Sequence, residues 1–115
     1  ILGPEIISGS TRMKGGTATK MILNMISTSV MIKLNKTYGN YMVDLKIMNN
    51  KLIDRGIGII RSLTGVSRSK AKSLIDICNG EVKNAIVVQK LGVSYSESIK
   101  LLEKHHGSLR AAIDE

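Results

Sequence analysis

Aromatic side chains are scarce in this sequence, which has no Trp or Phe and only three Tyr, at positions 38, 41 and 95. Surfaces that bind single-stranded nucleic acid commonly stack bases on aromatic rings set among cations. The 17 Lys and Arg residues give a net charge of +8, but they are spread along the chain without a block of consecutive cations. The charge favours an acidic partner, while its distribution argues against single-strand binding.

Cysteine is also scarce, and long apolar runs are missing. Cys78 is the sole cysteine, so an internal disulfide is excluded, and we expect a reducing, cytoplasmic compartment. No apolar run reaches the length of a membrane span, and the start "ILGPE" lacks the features of a signal peptide. We therefore expect no membrane partner, and we expect a chain that begins at Ile1 to be a piece of a longer polypeptide.

Metal and catalytic motifs are absent as well. His105 and His106 are adjacent, whereas two ligands on one helix need i, i+4 spacing. The sequence contains no GxSxG, Walker loop, HExxH or GxGxxG pattern. We expect no metal site, and no complete catalytic set is visible within these residues.

What the chain does contain is a polar segment, "SGSTRMKGGT", directly before the apolar run that starts at Met21. Hydroxyls and backbone amides can donate to phosphate oxygens, Arg12 and Lys14 add positive charge, and glycine lets a backbone approach a ligand. A helix that begins here would add the positive end of its dipole. The segment predicts an anion site; a solvated loop with an ordinary helix cap is the alternative.

The following segment, from about Ala18 to Leu34, has no Pro or Gly, and its apolar residues point in nearly every direction around a helical turn. A helix that is apolar all round is expected to be buried all round. Because the rest of the chain is too small to cover it, we expect an absent domain or a second copy of the chain to pack there.

The middle of the chain predicts a short extended segment and an amphipathic helix. "YMVDLKI" alternates apolar and polar residues, and "NNKLIDRGIGIIRSLTG" returns to helical spacing. Asn49 or Asn50 is expected to cap the helix, and Gly65 is expected to end it. Gly56 and Gly58 weaken a helix, which predicts that something approaches closely there.

The C-terminal part contains an internal repeat with an offset of 27 residues, in which 65–86 align with 92–113. Each copy is typical of a helix, a glycine turn and a second helix, with Ser67 and Ser94 as N-caps. Cys78 falls on the apolar face, which favours a packed thiol over a nucleophile. One copy is too small to bury its own apolar face, so the two should form a compact bundle.

The run "GPEIISGSTRMKGGTATKMILNMIST", followed by "YGNYMVDLK" and "NNKL", resembles the signature region of the N-acetylmuramic acid 6-phosphate etherases. That family is related to the glucokinase regulatory proteins and has the sugar isomerase (SIS) phosphosugar-binding fold. The tail resembles the small ubiquitin-associated-like (UBA-like) helical region that ends those etherases. The resemblance implies a mainly α chain, in which 1–64 form the C-terminal segment of a SIS-type α/β domain and 65–115 form a UBA-like bundle.

The resemblance also implies a cofactor-independent lyase of cell-wall sugar recycling, acting as a homodimer. It would cleave the lactyl ether of N-acetylmuramic acid 6-phosphate, eliminate D-lactate through an unsaturated intermediate, and add water to give N-acetylglucosamine 6-phosphate. Family members use carboxylates as acid and base. These are expected upstream of this chain, so no catalytic residue is assigned within it and the chain alone is expected to be inactive.

Six residues of the matching motif are predicted to contact the phosphorylated amino sugar: Glu5, Ser8, Ser10, Thr11, Arg12 and Lys14. "GPEII" would be the last strand edge, and "GGT" would open the buried helix. Glu5 is given an orienting role, because nearby cations lower the pKa of a carboxylate and disfavour a general acid. The alternative for the two cations is to hold the loop to an upstream domain or a partner subunit.

Two other function classes stay open. Regulatory relatives use the same scaffold to sense sugar phosphates without the etherase reaction, and missing upstream carboxylates would mark them. A helix-turn-helix-like hairpin could bind duplex nucleic acid through the positive charge, which a steep salt dependence of binding would reveal. We regard nucleic acid as the weaker of the two, because Ser, Lys and Ala are equally expected on a solvated helix face.

Overall fold

The computed structural model describes residues 2–114, which divide into two units, one up to Lys33 and one from Leu34 onward. The predicted mainly helical class is confirmed. The elements are α1 (Lys14–Lys33), β1 (Thr37–Tyr38), β2 (Tyr41–Met42), α2 (Asn50–Thr64), α3 (Arg68–Ile77), α4 (Val82–Leu91), α5 (Tyr95–Lys104) and α6 (Leu109–Ile113). Within the described range, none of the helices has the length and apolar character needed to cross a bilayer.

The first unit consists of a loop and α1, which begins at Lys14, one residue before the predicted opening at Gly15. None of the α1 side chains is buried, and the exposed fraction of its large apolar residues runs from 38% at Met31 to 65% at Met25. Residues 3–7, predicted as a strand edge, form no strand here, because no strand lies beside them within the described range. The predicted burial of α1 by other chain segments or a second copy stays a prediction.

The second unit opens with an antiparallel hairpin in which Tyr38 pairs with Tyr41. After the hairpin, side chains alternate as predicted: Val43 is fully buried and Leu45 packs against the core, while Asp44 points outward. The segment is held to the turn between α3 and α4, where the Ile47 amide donates to the Gly80 carbonyl at 3.0 Å. This backbone contact gives the extended segment a fixed place against the helices.

Helix α2 has the predicted ends. The Asn49 side chain accepts a hydrogen bond from the Leu52 amide, and Gly65 ends the helix in the left-handed conformation with φ 74°. The predicted close approach is confirmed at Gly56, where an added Cβ would lie 2.8 Å from Ile47 Cδ1. It is wrong at Gly58, which is exposed and has nothing within 4 Å of that position.

The internal repeat is confirmed as a structural repeat. Helices α3 and α5 start 27 residues apart and end 27 residues apart, and the starts of α4 and α6 have the same spacing. Ser67 and Ser94 cap α3 and α5 by accepting backbone N–H groups. The turns match as well, because Asn79 and His106 both have φ 51° and each precedes a glycine of positive φ.

The helical core is built from α2 through α6, with Ile60 and Ile86 fully buried at its centre. Cys78 is 0% exposed, as predicted for a packed thiol. Burial, with a smaller contribution from the charge of Glu81, raises the pKa of the Cys78 thiol to about 11. The thiol is therefore protonated at neutral pH and is unsuited to nucleophilic attack.

A buried lysine joins distant parts of the helical unit. Lys83 is only 9% exposed, and its Nζ donates to the carbonyl oxygens of Asn35 at 3.1 Å and Gly107 at 3.0 Å. It also pairs with Asp44 at 3.2 Å, which in turn accepts from Lys36 at 2.8 Å. These contacts satisfy the three donors of the ammonium and offset its loss of hydration.

The predicted division between 1–64 and 65–115 runs through the second unit, since α2 packs against α3 and α4. The assignment of these ranges to two domains of a longer protein stays a prediction.

Two glycines of α2 provide a matched test of packing. Gly56→Val should lower the free energy of unfolding by about 2 kcal/mol, because the new side chain collides with Ile47 and with the fully buried Val82. Gly58→Val should change the free energy by no more than about 0.5 kcal/mol, since space is open there. Urea unfolding followed by circular dichroism measures both, and equal effects at the two positions would contradict the packing described for α2.

The Asp44 cluster predicts a dependence of stability on pH. Burial alone would raise the pKa of Asp44, but hydrogen bonds and charges from Lys36 and Lys83 outweigh it and lower the pKa. A lowered native pKa stabilises the fold above the unfolded value, and the contribution is lost as pH falls through the native value. Asp44→Asn should therefore cost about 1 kcal/mol at pH 7, with the difference from wild type shrinking as the pH falls through the lowered native pKa of Asp44.

The control for this experiment is Asp54→Asn, which removes a surface pair with Arg68 whose side chains are both well exposed. It should change the free energy of unfolding by less than about 0.5 kcal/mol at any pH. If Asp44→Asn lost the same stability in acid as at neutrality, the carboxylate would not be the source of the effect.

Candidate functional site

A carboxylate closes the N-terminus of α1. Glu5 Oε1 accepts from the Gly15 amide at 2.8 Å, and Oε2 accepts from the Lys14 amide at 3.1 Å. The Gly15 and Lys14 hydrogen bonds lower the pKa of Glu5 in spite of a smaller opposing effect of desolvation. Glu5 is therefore ionised at neutral pH and lies at the positive end of the α1 dipole.

The other two amides at the start of α1 also have partners. Gly16 donates to the Thr11 carbonyl at 2.7 Å, and Thr17 donates to the Met13 carbonyl at 3.2 Å. The Thr17 bond is the first of the α1 ladder, and the three amides that precede it, those of Lys14, Gly15 and Gly16, are satisfied by the chain itself. In this conformation, the amides that were predicted to face a ligand are engaged within the protein.

Lys14 is partly committed to the loop as well. Its Nζ donates to the Pro4 carbonyl at 2.8 Å, so its backbone and side chain both reach back to residues 4 and 5. Gly15 fits this arrangement because an added Cβ would lie 3.3 Å from Glu5 Oε1. These contacts favour a structural role for Lys14 within the loop itself, whereas the alternative considered from the sequence was a contact with an upstream domain or a partner subunit.

The remaining predicted site residues lie on the loop between these two anchors. Ser8, Thr11 and Arg12 are exposed, and Ser10 is half-buried, with its amide donating to the Ile7 carbonyl at 3.1 Å. The structure therefore brings Glu5 and Lys14 into direct contact and leaves the hydroxyls and the guanidinium on the loop surface. Their contact with a substrate stays a prediction.

A shallow cavity of about 570 Å³ lies beside this loop on α1. It is lined by Thr11, Gly15, Gly16, Thr19, Lys20, Leu23 and Asn24. Thr19 Oγ1 donates to the Gly15 carbonyl at 2.9 Å, and Lys20 adds a further cation at the edge of the loop. The sequence could have indicated Lys20, because a helix that opens at the "GGT" segment places residues 16 and 20 on one face.

The helical unit has a separate groove of about 480 Å³ with a polar network at its wall. Glu81 Oε2 accepts from Asn84 Nδ2 at 2.6 Å and from the Tyr95 hydroxyl at 3.0 Å. The buried Ser98 hydroxyl donates to Asn84 Oδ1 at 3.1 Å. The groups have partners within the protein, which is typical of a structural network.

The adjacent histidines lie at the C-terminal end of α5, where His105 caps the helix and His106 takes a left-handed conformation. Within residues 2–114, no three His, Cys, Asp or Glu side chains are grouped so that they could hold a metal ion. The donor set that the described chain offers is hydroxyl, guanidinium and ammonium, which is the chemistry of anion binding.

Comparison with known sequences adds a family to this geometry. The sequence model of the C-terminal lid domain of glucokinase regulatory protein matches residues 39–77. The chain is 47% identical, over 99% of its length, to the N-acetylmuramic acid 6-phosphate etherase of Gloeothece citriformis. It is 50% identical, over 98% of its length, to the etherases so named of Microcystis aeruginosa and Yersinia pestis.

The chain spans only 37% to 38% of the length of these three relatives. The similarity is nevertheless continuous across both units described above, and it includes the loop that Glu5 closes. The chain is therefore similar along nearly its whole length to N-acetylmuramic acid 6-phosphate etherases, and the matched lid-domain model supports a relation to glucokinase regulatory protein.

Proposed function

We propose that the intact protein is an etherase that cleaves N-acetylmuramic acid 6-phosphate into N-acetylglucosamine 6-phosphate and D-lactate. The identity of about 50% to named etherases along nearly the whole chain carries this proposal. This chain contributes to substrate binding. The carboxylates that act as acid and base belong to the rest of the protein. The reaction is an elimination followed by hydration, and it uses no cofactor.

The substrate phosphate is bound by the loop between Glu5 and Lys14. Arg12 is the main contact, because a guanidinium can donate two parallel hydrogen bonds to a phosphate group. Ser8, Ser10 and Thr11 supply hydroxyl donors from the same loop. The exposure of Arg12 supports this role, since the side chain is accessible to a ligand in the described structure.

The larger architecture follows the same proposal. Residues 1–64 are the C-terminal segment of a SIS-type domain, and residues 65–115 form a UBA-like bundle. The exposed apolar surface of α1 supports the view that other parts of a SIS domain, or the second subunit of a homodimer, cover this helix. The protein acts on a phosphorylated sugar in the cytoplasm.

A second candidate is a regulator that binds sugar phosphates without cleaving them. The match of residues 39–77 to a lid domain of glucokinase regulatory protein favours it. The intact protein would then bind N-acetylmuramic acid 6-phosphate in calorimetry and release no D-lactate. Release of D-lactate at a rate proportional to protein concentration would exclude this candidate.

The etherase proposal predicts a specific defect for Arg12→Ala in the intact protein. Loss of a charge-assisted contact with the phosphate should lower kcat/KM for N-acetylmuramic acid 6-phosphate by about ten- to a hundredfold, measured as D-lactate release. Arg12→Lys should recover part of the loss, because it keeps the charge without the planar fork.

The matched control is Arg61→Ala, which removes an exposed arginine from the last turn of α2. It should leave kcat/KM unchanged within about twofold. An Arg12→Ala enzyme as active as this control would show that Arg12 does not contact the substrate. The 115-residue chain by itself should release no D-lactate, because it lacks the acid and base.

A further inference from the structure

The loop that carries the predicted phosphate contacts is pinned at both of its ends by three hydrogen bonds. Two join the Glu5 carboxylate to the Lys14 and Gly15 amides, and the third joins Lys14 Nζ to the Pro4 carbonyl. Ser8, Thr11 and Arg12 all lie between these anchors. The conformation of the loop therefore depends on the Glu5 side chain, which fills the N-terminus of α1.

The amides that Glu5 occupies are the donors that a phosphate group would otherwise use at a helix N-terminus. A phosphate dianion in the same position would displace Glu5 or be repelled by its negative charge. With Glu5 in place, the donors that the loop leaves exposed to a phosphate include the Ser8 and Thr11 hydroxyls and the Arg12 guanidinium. Occupancy by Glu5 therefore selects which donors a substrate meets.

We propose that Glu5 is a positioning residue of the phosphosugar site, which fills the α1 N-terminus and so holds the loop open for a phosphate at Arg12 and its neighbouring hydroxyls. This inference rests on the proposed function for the identity of the substrate. It makes specific the orienting role predicted for Glu5 from the sequence, because each of its carboxylate oxygens accepts a hydrogen bond from a backbone amide of α1.

Chemical rescue tests this role in the intact protein. Glu5→Ala should raise KM for N-acetylmuramic acid 6-phosphate about tenfold and change kcat by less than about twofold, since Glu5 acts on binding and not on the reacting bonds. Acetate, added at constant ionic strength, should restore KM, because its carboxylate can occupy the vacated Lys14 and Gly15 amides. Glu5→Gln should not respond to acetate, because its side chain still fills the space.

The matched control is Glu97→Ala, which removes a carboxylate from the N-terminus of α5, where Glu97 accepts from the Ser94 amide at 2.7 Å. This variant should lose thermal stability but keep the KM of wild type, with or without acetate. A KM unchanged in Glu5→Ala, or a raised KM that acetate leaves unaltered, would overturn the positioning role.

A thermal arm separates this inference from the proposed function. Acetate should raise the melting temperature of Glu5→Ala by more than that of wild type, whatever reaction the protein catalyses. An acetate response equal in the two proteins would overturn the Glu5 inference alone. Failure of wild type to release D-lactate would overturn the proposed function alone, and a larger acetate response of Glu5→Ala would still support Glu5 as the group that fills the α1 N-terminus.

Discussion

The amides at the start of a helix must find acceptors, and this constraint organises both units of the chain. Four helices of the second unit satisfy it locally, with the side chains of Asn49, Ser67, Ser94 and Ser108 at their N-caps. In helix α1 the acceptor comes from a distance, because it is the carboxylate of Glu5, nine residues before Lys14 in the sequence. The local solution fixes where a helix begins, whereas the distant one also fixes the shape of the intervening loop.

This difference explains which parts of the fold could be predicted. The bounds of α2 and the caps of α3 and α5 follow from residues within a few positions of each other, so pattern and cap chemistry were sufficient. The start of α1 was predicted to within one residue, but its capping group was missed, because the cap is neither Ser, Thr, Asp nor Asn next to the helix but a glutamate far upstream. The prediction of a close approach at Gly58 was wrong because no feature of the sequence distinguishes this exposed helical glycine from Gly56, which is packed.

The candidate site divides in the same way. Composition indicated an anion-binding loop and named the residues that could supply donors, and the similarity to named etherases extends over that loop. Composition could not indicate that the backbone amides of α1 are occupied, because that depends on the rotamer and reach of one carboxylate. Lys83 was missed for a related reason: a lysine in a short helix predicts an exposed side chain, and its burial depends on Asp44 and two carbonyls that only the fold brings together.

The repeat in the helical unit has a consequence for how such a fold can grow. Each copy ends its first helix in a turn that presents a carbonyl, from Gly80 in one and Gly107 in the other. The Ile47 amide of the extended segment donates to the Gly80 carbonyl, whereas the Gly107 carbonyl accepts from Lys83, a residue of the first copy. A third copy would present a third carbonyl of this kind. The residue of the second copy that is equivalent to Lys83 is Arg110, whose guanidinium lies 5.7 Å from the centre of the Tyr38 ring, so growth of the array would require this arginine to exchange an aromatic partner for a carbonyl.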